Sequence, residues 1–365
     1  MSPSDFLITR RRALAFTALL GTGSALNLRA QPLPPRDADD GSTFRVLAFH
    51  DVRDDVRADF ETGADGTAVN ESTLADFFSW LVVNGYHVVS LQQVMDARAG
   101  GAPLPPQSVM LSFDDGYLST YTRVFPLLKQ HRFPAVFALV SSWLEVPAGG
   151  MVPYGNQQVP REAFVSWAQA AEMARSGLVE LASHSHDLHQ GVLANPQGNL
   201  LAAATAMRYD PASQRYESAE AHMRRVEADL RRSRQLIESR TGARGRTMVW
   251  SYGAYHSATL EAARRAGMPV TLTLDDGANT REVPLATIRR ALPSYDLAAP
   301  EYQWLLRQRL NSEVRPINRI MHIDLDYVYD PDPAQQERNL SQLVRRGATV
   351  APQRASFSAT ERPRP

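Results

Sequence analysis

Ser108-Val109-Met110-Leu111-Ser112-Phe113-Asp114-Asp115-Gly116-Tyr117 is the stretch that decides how this chain is read. Pro105-Pro106 leads into it, and the near-continuous apolar run from Ser108 to Phe113 has strand length. Runs of that kind, without polar alternation, mark parallel strands buried on both faces. The run hands over to two adjacent carboxylates that cannot both face a core, and Gly116 lets the backbone turn sharply. Asp-Gly is also ordinary turn chemistry, so the motif gains meaning only from its surroundings.

Outward from this stretch the same order recurs. Strands are expected at residues 44–49, 108–113, 135–140, 178–181, 248–250, 270–274 and 287–292. Between them, helical spacing runs over residues 72–83 (Leu74, Phe77, Phe78, Leu81), 117–130, 162–175, 217–240 and 257–266. Strands alternating with helices predict an α/β fold, its parallel sheet covered on both faces. About seven such units between Phe44 and Leu310 are compatible with a barrel.

Composition narrows the chemistry. The 365 residues are 44% hydrophobic and 21% charged, as in a globular protein. Thirty-nine basic residues, of which only Lys129 is lysine, balance thirty-nine acidic ones, so no global field draws the chain to nucleic acid or anionic membrane. The arginines of residues 217–240 interleave with acids at helical spacing, which predicts a salt-bridged solvated face and no nucleic-acid partner. There is no cysteine, which excludes disulfides, thiolate metal sites and cysteine nucleophiles. Any metal must be held by nitrogen and oxygen.

At the N-terminus, Thr9-Arg10-Arg11-Arg12 precedes an apolar stretch over residues 13–26, a small residue at Ala30 and a Pro-rich run. A basic start, short apolar middle and small-residue exit predict a twin-arginine-like export signal over residues 1–30, then a linker over 31–42. The apolar stretch is broken by Gly21 and Gly23 and falls short of the roughly 20 residues that span a bilayer. A periplasmic location is therefore expected, with no integral membrane segment after signal removal and no lipid anchor through cysteine.

Chemistry in parallel α/β folds collects at the carboxyl ends of strands. Ala182-Ser183-His184-Ser185-His186-Asp187-Leu188-His189 follows one strand and places three of the nine histidines within six residues. His50-Asp51 follows another. Imidazoles plus a carboxylate, with positions left open, are how a hydrolytic divalent metal is held. Metal-assisted hydrolysis of an amide or ester also needs an acid and a base, and these strand ends supply both.

Ser112-Phe113-Asp114-Asp115-Gly116-Tyr117 and His184-Ser185-His186-Asp187-Leu188-His189 resemble the first two motifs of the polysaccharide deacetylases, the carbohydrate esterase family with the NodB-type domain. Leu47-Ala48-Phe49-His50-Asp51, lying ahead of them, resembles a circularly permuted order. That order is similar to the branch acting on β-1,6-linked N-acetylglucosamine polymers during bacterial biofilm export. The resemblance implies a distorted (β/α) barrel of NodB type with fewer than eight complete units over residues 43–312, and metal-dependent N-deacetylase activity. It implies Asp114 as general base, His50 as general acid, and Asp115, His184 and His189 as ligands of one divalent ion: zinc, nickel, cobalt or iron. His186 falls on a variable position and is not expected to ligate. Trp250-Ser251-Tyr252-Gly253 resembles a motif lining the sugar site, with Trp250 and Tyr252 as substrate contacts and Ser251 where proline is common. The backbone amide near Tyr117 would help stabilise an oxyanion. Implied partners are an N-acetylglucosamine polymer and outer-membrane export machinery. A second Asp275-Asp276-Gly277 matches no ligand motif; it is either a turn or a carboxylate that orients the acid histidine. Two other functions stay open: deacetylation of a chitin-like or peptidoglycan glycan, and a non-catalytic glycan-binding export adaptor.

Residues 316–330 read as a strand ending in Asp324, Asp326 and Asp330, and 333–346 as a helix. They resemble the start of a second, glycoside-hydrolase-like barrel. One βα unit cannot bury both its faces. The expectation is a vestigial C-terminal βα unit at 316–346, the remnant of a domain lost by truncation or frame shift, followed by a disordered tail at 347–365.

Overall fold

Seven strands build the principal sheet: β1 (Phe44–Phe49), β2 (His87–Val88), β3 (Ser108–Phe113), β4 (Ala135–Leu139), β5 (Val179–Ser183), β6 (Thr247–Val249) and β7 (Val270–Leu272). The computed structural model describes residues 41–56, 67–155, 157–275 and 277–292. The expected export signal, residues 31–40 of the expected linker, and the βα unit and tail expected at 316–346 and 347–365 lie outside them. The order is β1-β3-β4-β5-β6-β7, with β2 beside the first half of β3, and every pairing is parallel. All residues of β3 and β4 are buried, which is why they read as unbroken apolar runs. Phe49 pairs with Phe113 and Phe113 with Phe137, and the row of rings, stacked at the first contact and edge-to-face at the second, lies at one level of these strand ends.

The sheet curls until its outer strands are stitched together by residues 288–291. Ile288 exchanges backbone hydrogen bonds with Thr271 and Thr273 beside β7, and Ala291 does so with Val46 and Ala48 of β1. The strand expected at 287–292 is therefore two single bridges. Residues Leu285–Thr287 form a 3-10 turn, and the backbone of Arg289 pairs with the side chain of Asn279 instead of with a strand. The outcome is the expected distorted α/β barrel with fewer than eight units.

Helices cover the sheet: α1 (Glu71–Val83), α2 (Leu91–Arg98), α3 (Phe125–His131), α4 (Ser141–Glu145), α5 (Trp167–Arg175), α6 (Ala219–Thr241) and α7 (Ser257–Arg265). The buried stripe of α1, Leu74, Phe77, Phe78 and Leu81, is the one its spacing predicts. Two helices start five or more residues later than expected. Residues Thr120–Val124 form a π-turn ahead of α3, and a capping box of Ser166 and Gln169 delays α5 to Trp167. β2 and α2 were not anticipated: β2 has two residues, and α2 rests on a Ser90–Gln93 capping box more than on an apolar face. Helix α6 begins at a Ser218 cap and ends at Gly242, whose φ of 73° suits glycine. Among the described residues no helix is long and apolar enough to cross a membrane.

Candidate active site

Three of the loops that carry site residues are held one residue beyond their strands. Asp114 donates its N–H to Phe49 O at 2.8 Å, His184 to Leu139 O at 2.8 Å, and Trp250 to Leu272 O at 3.0 Å. The ladder thus fixes the first loop residues as firmly as the strands. Beyond that point the backbone turns hard. Asp115, Ser185 and Tyr252 are non-glycine residues at φ of 70°, 78° and 59°, the kind of conformation that clusters at functional sites. Gly116 follows at φ 72°, and a Cβ there would lie 2.9 Å from Leu139 Cδ2, so the turn requires glycine.

These turns bring Asp115, His184 and His189 together, all buried, with one ligand atom from each within 4.8 Å of the others. Asp115 Oδ1 lies 3.3 Å from His184 Nε2 and 3.2 Å from His189 Nε2. His184 Nδ1 is 2.7 Å from Val249 O, which can only accept, so Nδ1 carries a proton and Nε2 is the nitrogen turned to the carboxylate. His189 Nδ1 contacts Tyr252 Oη at 3.2 Å. Tyr154 donates its hydroxyl to Asp115 Oδ2 at 2.8 Å, whereas Oδ1 is buried without a hydrogen-bond partner. An orphaned carboxylate oxygen between two imidazole nitrogens fits a cation. Burial raises the Asp115 carboxyl, but His189, then His184, and the charge of His50 hold it well below the usual carboxylate range.

Asp114 is buried beside this cluster. Its Oδ1 accepts from Arg290 Nη1 at 2.7 Å, and Arg290 also reaches Ser112 Oγ at 3.0 Å and Thr273 O at 2.9 Å. Burial pushes the Asp114 carboxyl up, but the charges of Arg290, His184 and His50 outweigh it and keep it below its ordinary value. His50, at the end of β1, is near enough to act on both carboxylates, and its buried Nδ1 has no hydrogen-bond partner.

The remaining sequence candidates divide. Tyr252 is 44% exposed with its ring 4.6 Å from that of His189, and burial together with Asp115 pushes its hydroxyl up to about 12. Trp250 corrects the expectation of a sugar contact: it has no exposed surface, and its indole N–H donates to Thr271 Oγ1 at 2.9 Å. It lies one residue past β6, where the ladder still directs its side chain inward. Tyr117 is nearly buried, stacked on Phe164, so its backbone is better placed than its ring to meet a ligand. Asp275 accepts from Tyr255 Oη at 2.6 Å; Asp276 lies outside the described residues. His186 turns away from the cluster to Ser141 Oγ. Arg290 and Tyr154 were missed from sequence. Arg290 did carry a signal, since an arginine inside an expected buried strand must find an acid. Tyr154 sits on the short ribbon Met151–Tyr154 with Gln157–Pro160 and carried none.

Fold and site together define a class: a curled parallel α/β barrel whose strand ends bring together an Asp-His-His cluster able to take a cation, beside a second buried carboxylate. The comparisons with known proteins agree. The polysaccharide deacetylase family profile matches residues 101–271. The solved deacetylase domain of BpsB from Bordetella bronchiseptica is 47% identical, with a TM-score of 0.65 over 72% of this chain and 99% of that one. A de-N-acetylase from Aggregatibacter actinomycetemcomitans is 41% identical, with a TM-score of 0.65 over 70% and 95% of the two chains. The chain belongs to the polysaccharide deacetylase family. The poly-beta-1,6-N-acetyl-D-glucosamine N-deacetylase of Escherichia coli (strain K12) is 36% identical over 329 residues, 87% of this chain and 47% of the relative. The chain thus spans about half the length of the Escherichia coli relatives it matches. A second profile, described as hypothetical glycosyl hydrolase family 13, matches residues 322–359.

Proposed function

We propose that this chain is a metal-dependent N-deacetylase that removes acetyl groups from a β-1,6-linked N-acetylglucosamine polymer. The observation that carries the proposal is the orphaned Asp115 Oδ1 facing two imidazole nitrogens beside the buried ion pair of Asp114 and Arg290. Asp115, His184 and His189 would hold one divalent ion, and zinc, nickel, cobalt and iron all suit such a nitrogen–oxygen set. Bound there, it would polarise the acetyl carbonyl and make a water acidic near neutrality. Asp114, kept ionised by Arg290, takes the proton of the attacking water. His50, at the adjoining strand end, returns a proton to the departing amine nitrogen. The backbone amide near Tyr117 steadies the developing oxyanion, and the exposed face of Tyr252 packs on the pyranose ring. A cavity of about 790 Å³, lined by Tyr117, Tyr154 and Arg123 among others, gives a polymer room for units flanking the one that reacts.

The names of the relatives support the substrate. With it we place the enzyme in the periplasm, beside outer-membrane export machinery, after removal of a signal at 1–30 and a linker at 31–42. The deacetylase domain occupies 43–312. The unit at 316–346 overlaps the second profile match, which runs on to 359 into the residues expected as a tail.

Acetate release from β-1,6 and β-1,4 oligomers, before and after chelation, tests the proposal. Release should favour the β-1,6 oligomer and stop on chelation. His184→Ala should lose the metal. Asp114→Asn should retain it while turnover falls by about 10²- to 10⁴-fold, the scale of general-base catalysis. Full activity of Asp114→Asn, or release that survives chelation, would refute the mechanism.

A further inference from the structure

The loop carrying His184 and His189 is shaped from outside itself. The backbone N–H groups of His186 and Asp187, between the two histidines, donate to the two carboxylate oxygens of Asp229 at 2.8 and 2.7 Å. Ser183 Oγ donates to Ser233 Oγ at 2.7 Å and accepts from Ser185 N–H at 3.0 Å. Leu188 N–H closes the loop on Ser185 Oγ at 3.0 Å, and Ser185 itself stands at φ 78°. Asp229 and Ser233 lie four residues apart on α6, on one helical face with buried Val226 and Leu230. Helix α6 packs against β5, α5 and α7, so both grips tie the loop to a long, well-buried element. The carboxylate gives each of two successive N–H groups its own oxygen. An amide in its place would keep one acceptor and turn a donor towards the other N–H.

We propose that Asp229, seconded by Ser233, is the positioning residue that sets the backbone between His184 and His189 so that both Nε2 atoms face Asp115. This rests on the reading that these three residues hold a metal. Groups that orient ligands in this way commonly govern affinity by 10- to 100-fold when removed.

The full-length chain can be titrated with Zn²⁺ against a chromogenic chelator and with Co²⁺ by visible absorption, alongside thermal unfolding. Asp229→Ala should weaken zinc binding by about 10- to 100-fold and shift the cobalt bands. Asp229→Asn should fall between Asp229→Ala and wild type, because it retains one acceptor. Ser233→Ala should show a smaller loss in the same direction. A folded Asp229→Ala that binds zinc within about twofold of wild type, with an unshifted cobalt spectrum, would overturn the inference. So would a lowered melting temperature alone, since that is the mark of a merely structural contact. Hydrogen exchange on wild type keeps the test open where a variant does not fold: the His186 and Asp187 amides should be as protected as those of α6, and loop-like exchange would refute the clamp. Wild type that binds no zinc would remove the metal reading itself, an outcome distinct from zinc-binding wild type with an indifferent Asp229→Ala.

Discussion

Arg290 has no exposed side-chain surface and places its charge on one carboxylate, Asp114. A buried ion pair of this kind adds little over a well-packed apolar pair, but removing one partner leaves an uncompensated charge and costs about 3–5 kcal/mol. Arg290→Met should therefore destabilise the fold by about that amount at pH 7. The sign with pH follows from the depressed Asp114 carboxyl. In the wild type its stabilising contribution is complete above the unfolded value near 4 and is lost as pH falls below it. In the variant, burial raises the same carboxyl, so the penalty grows as pH rises above about 4 and vanishes when the group is protonated. Urea unfolding of metal-free protein at pH 7 and pH 4.5 should show the gap between the two proteins narrowing at the lower pH. A gap that widens would mean that Arg290 does not serve Asp114. The acids and histidines of the candidate site were legible because each stands in the loop that follows a strand, so a local motif sufficed. Arg290 was not, since its partner lies 176 residues away and only the curling of the sheet brings them together. Trp250 misled for the opposite reason: its motif neighbours an exposed tyrosine, while its own side chain still obeys the strand beneath.

At the scale of elements, residues 288–291 deliver that arginine, and Asn279 holds them in place. Its backbone exchanges hydrogen bonds with Phe44 of β1, and its side chain takes the N–H of Arg289 at 2.8 Å and donates to the Arg289 carbonyl at 3.0 Å. Asn279 is fully buried, so truncation leaves two backbone groups without partners, at about 1–3 kcal/mol each. Asn279→Ala should lower stability by a few kcal/mol and reduce acetate release as Arg290 is displaced, with zinc affinity little changed. Asn279→Asp keeps the acceptor and should recover part of the loss. Unaltered unfolding of Asn279→Ala would show that the sheet edges hold without this clamp. Helices such as α1 were readable because a 3.6-residue period exposes a buried face. The stitch, β2 and the ribbon of Met151–Tyr154 with Gln157–Pro160 were not, because such short segments are set by the partners they meet across the chain and carry no period of their own.

For the whole molecule, alternation of strand and helix was enough to foresee a parallel α/β fold, since each unit must bury a sheet face beneath a helix, and the barrel was implied only by the resemblance of the motifs. How the barrel closes was hidden, because closure depends on contacts between its two ends. The candidate site draws on β1, β3, β5, β6, α6 and the stitch, all within residues 44–291, so one folded unit supplies every side chain named in the proposed reaction. The solved deacetylase domain it resembles aligns with 72% of this chain over 99% of its own length, which supports a unit of that size standing alone. A fragment of residues 41–312 should therefore fold, bind one equivalent of zinc with the affinity of the full chain, and release acetate from short β-1,6 oligomers at a comparable rate. Long polymer is the discriminating substrate. Residues 322–359 match a different family, and any contribution they make to holding a chain would raise KM for long polymer in the fragment while leaving kcat on short oligomers unchanged. A fragment that folds but loses zinc or turnover on the shortest substrates would mean that residues beyond 312 build the site itself, contrary to the geometry of the three strand ends.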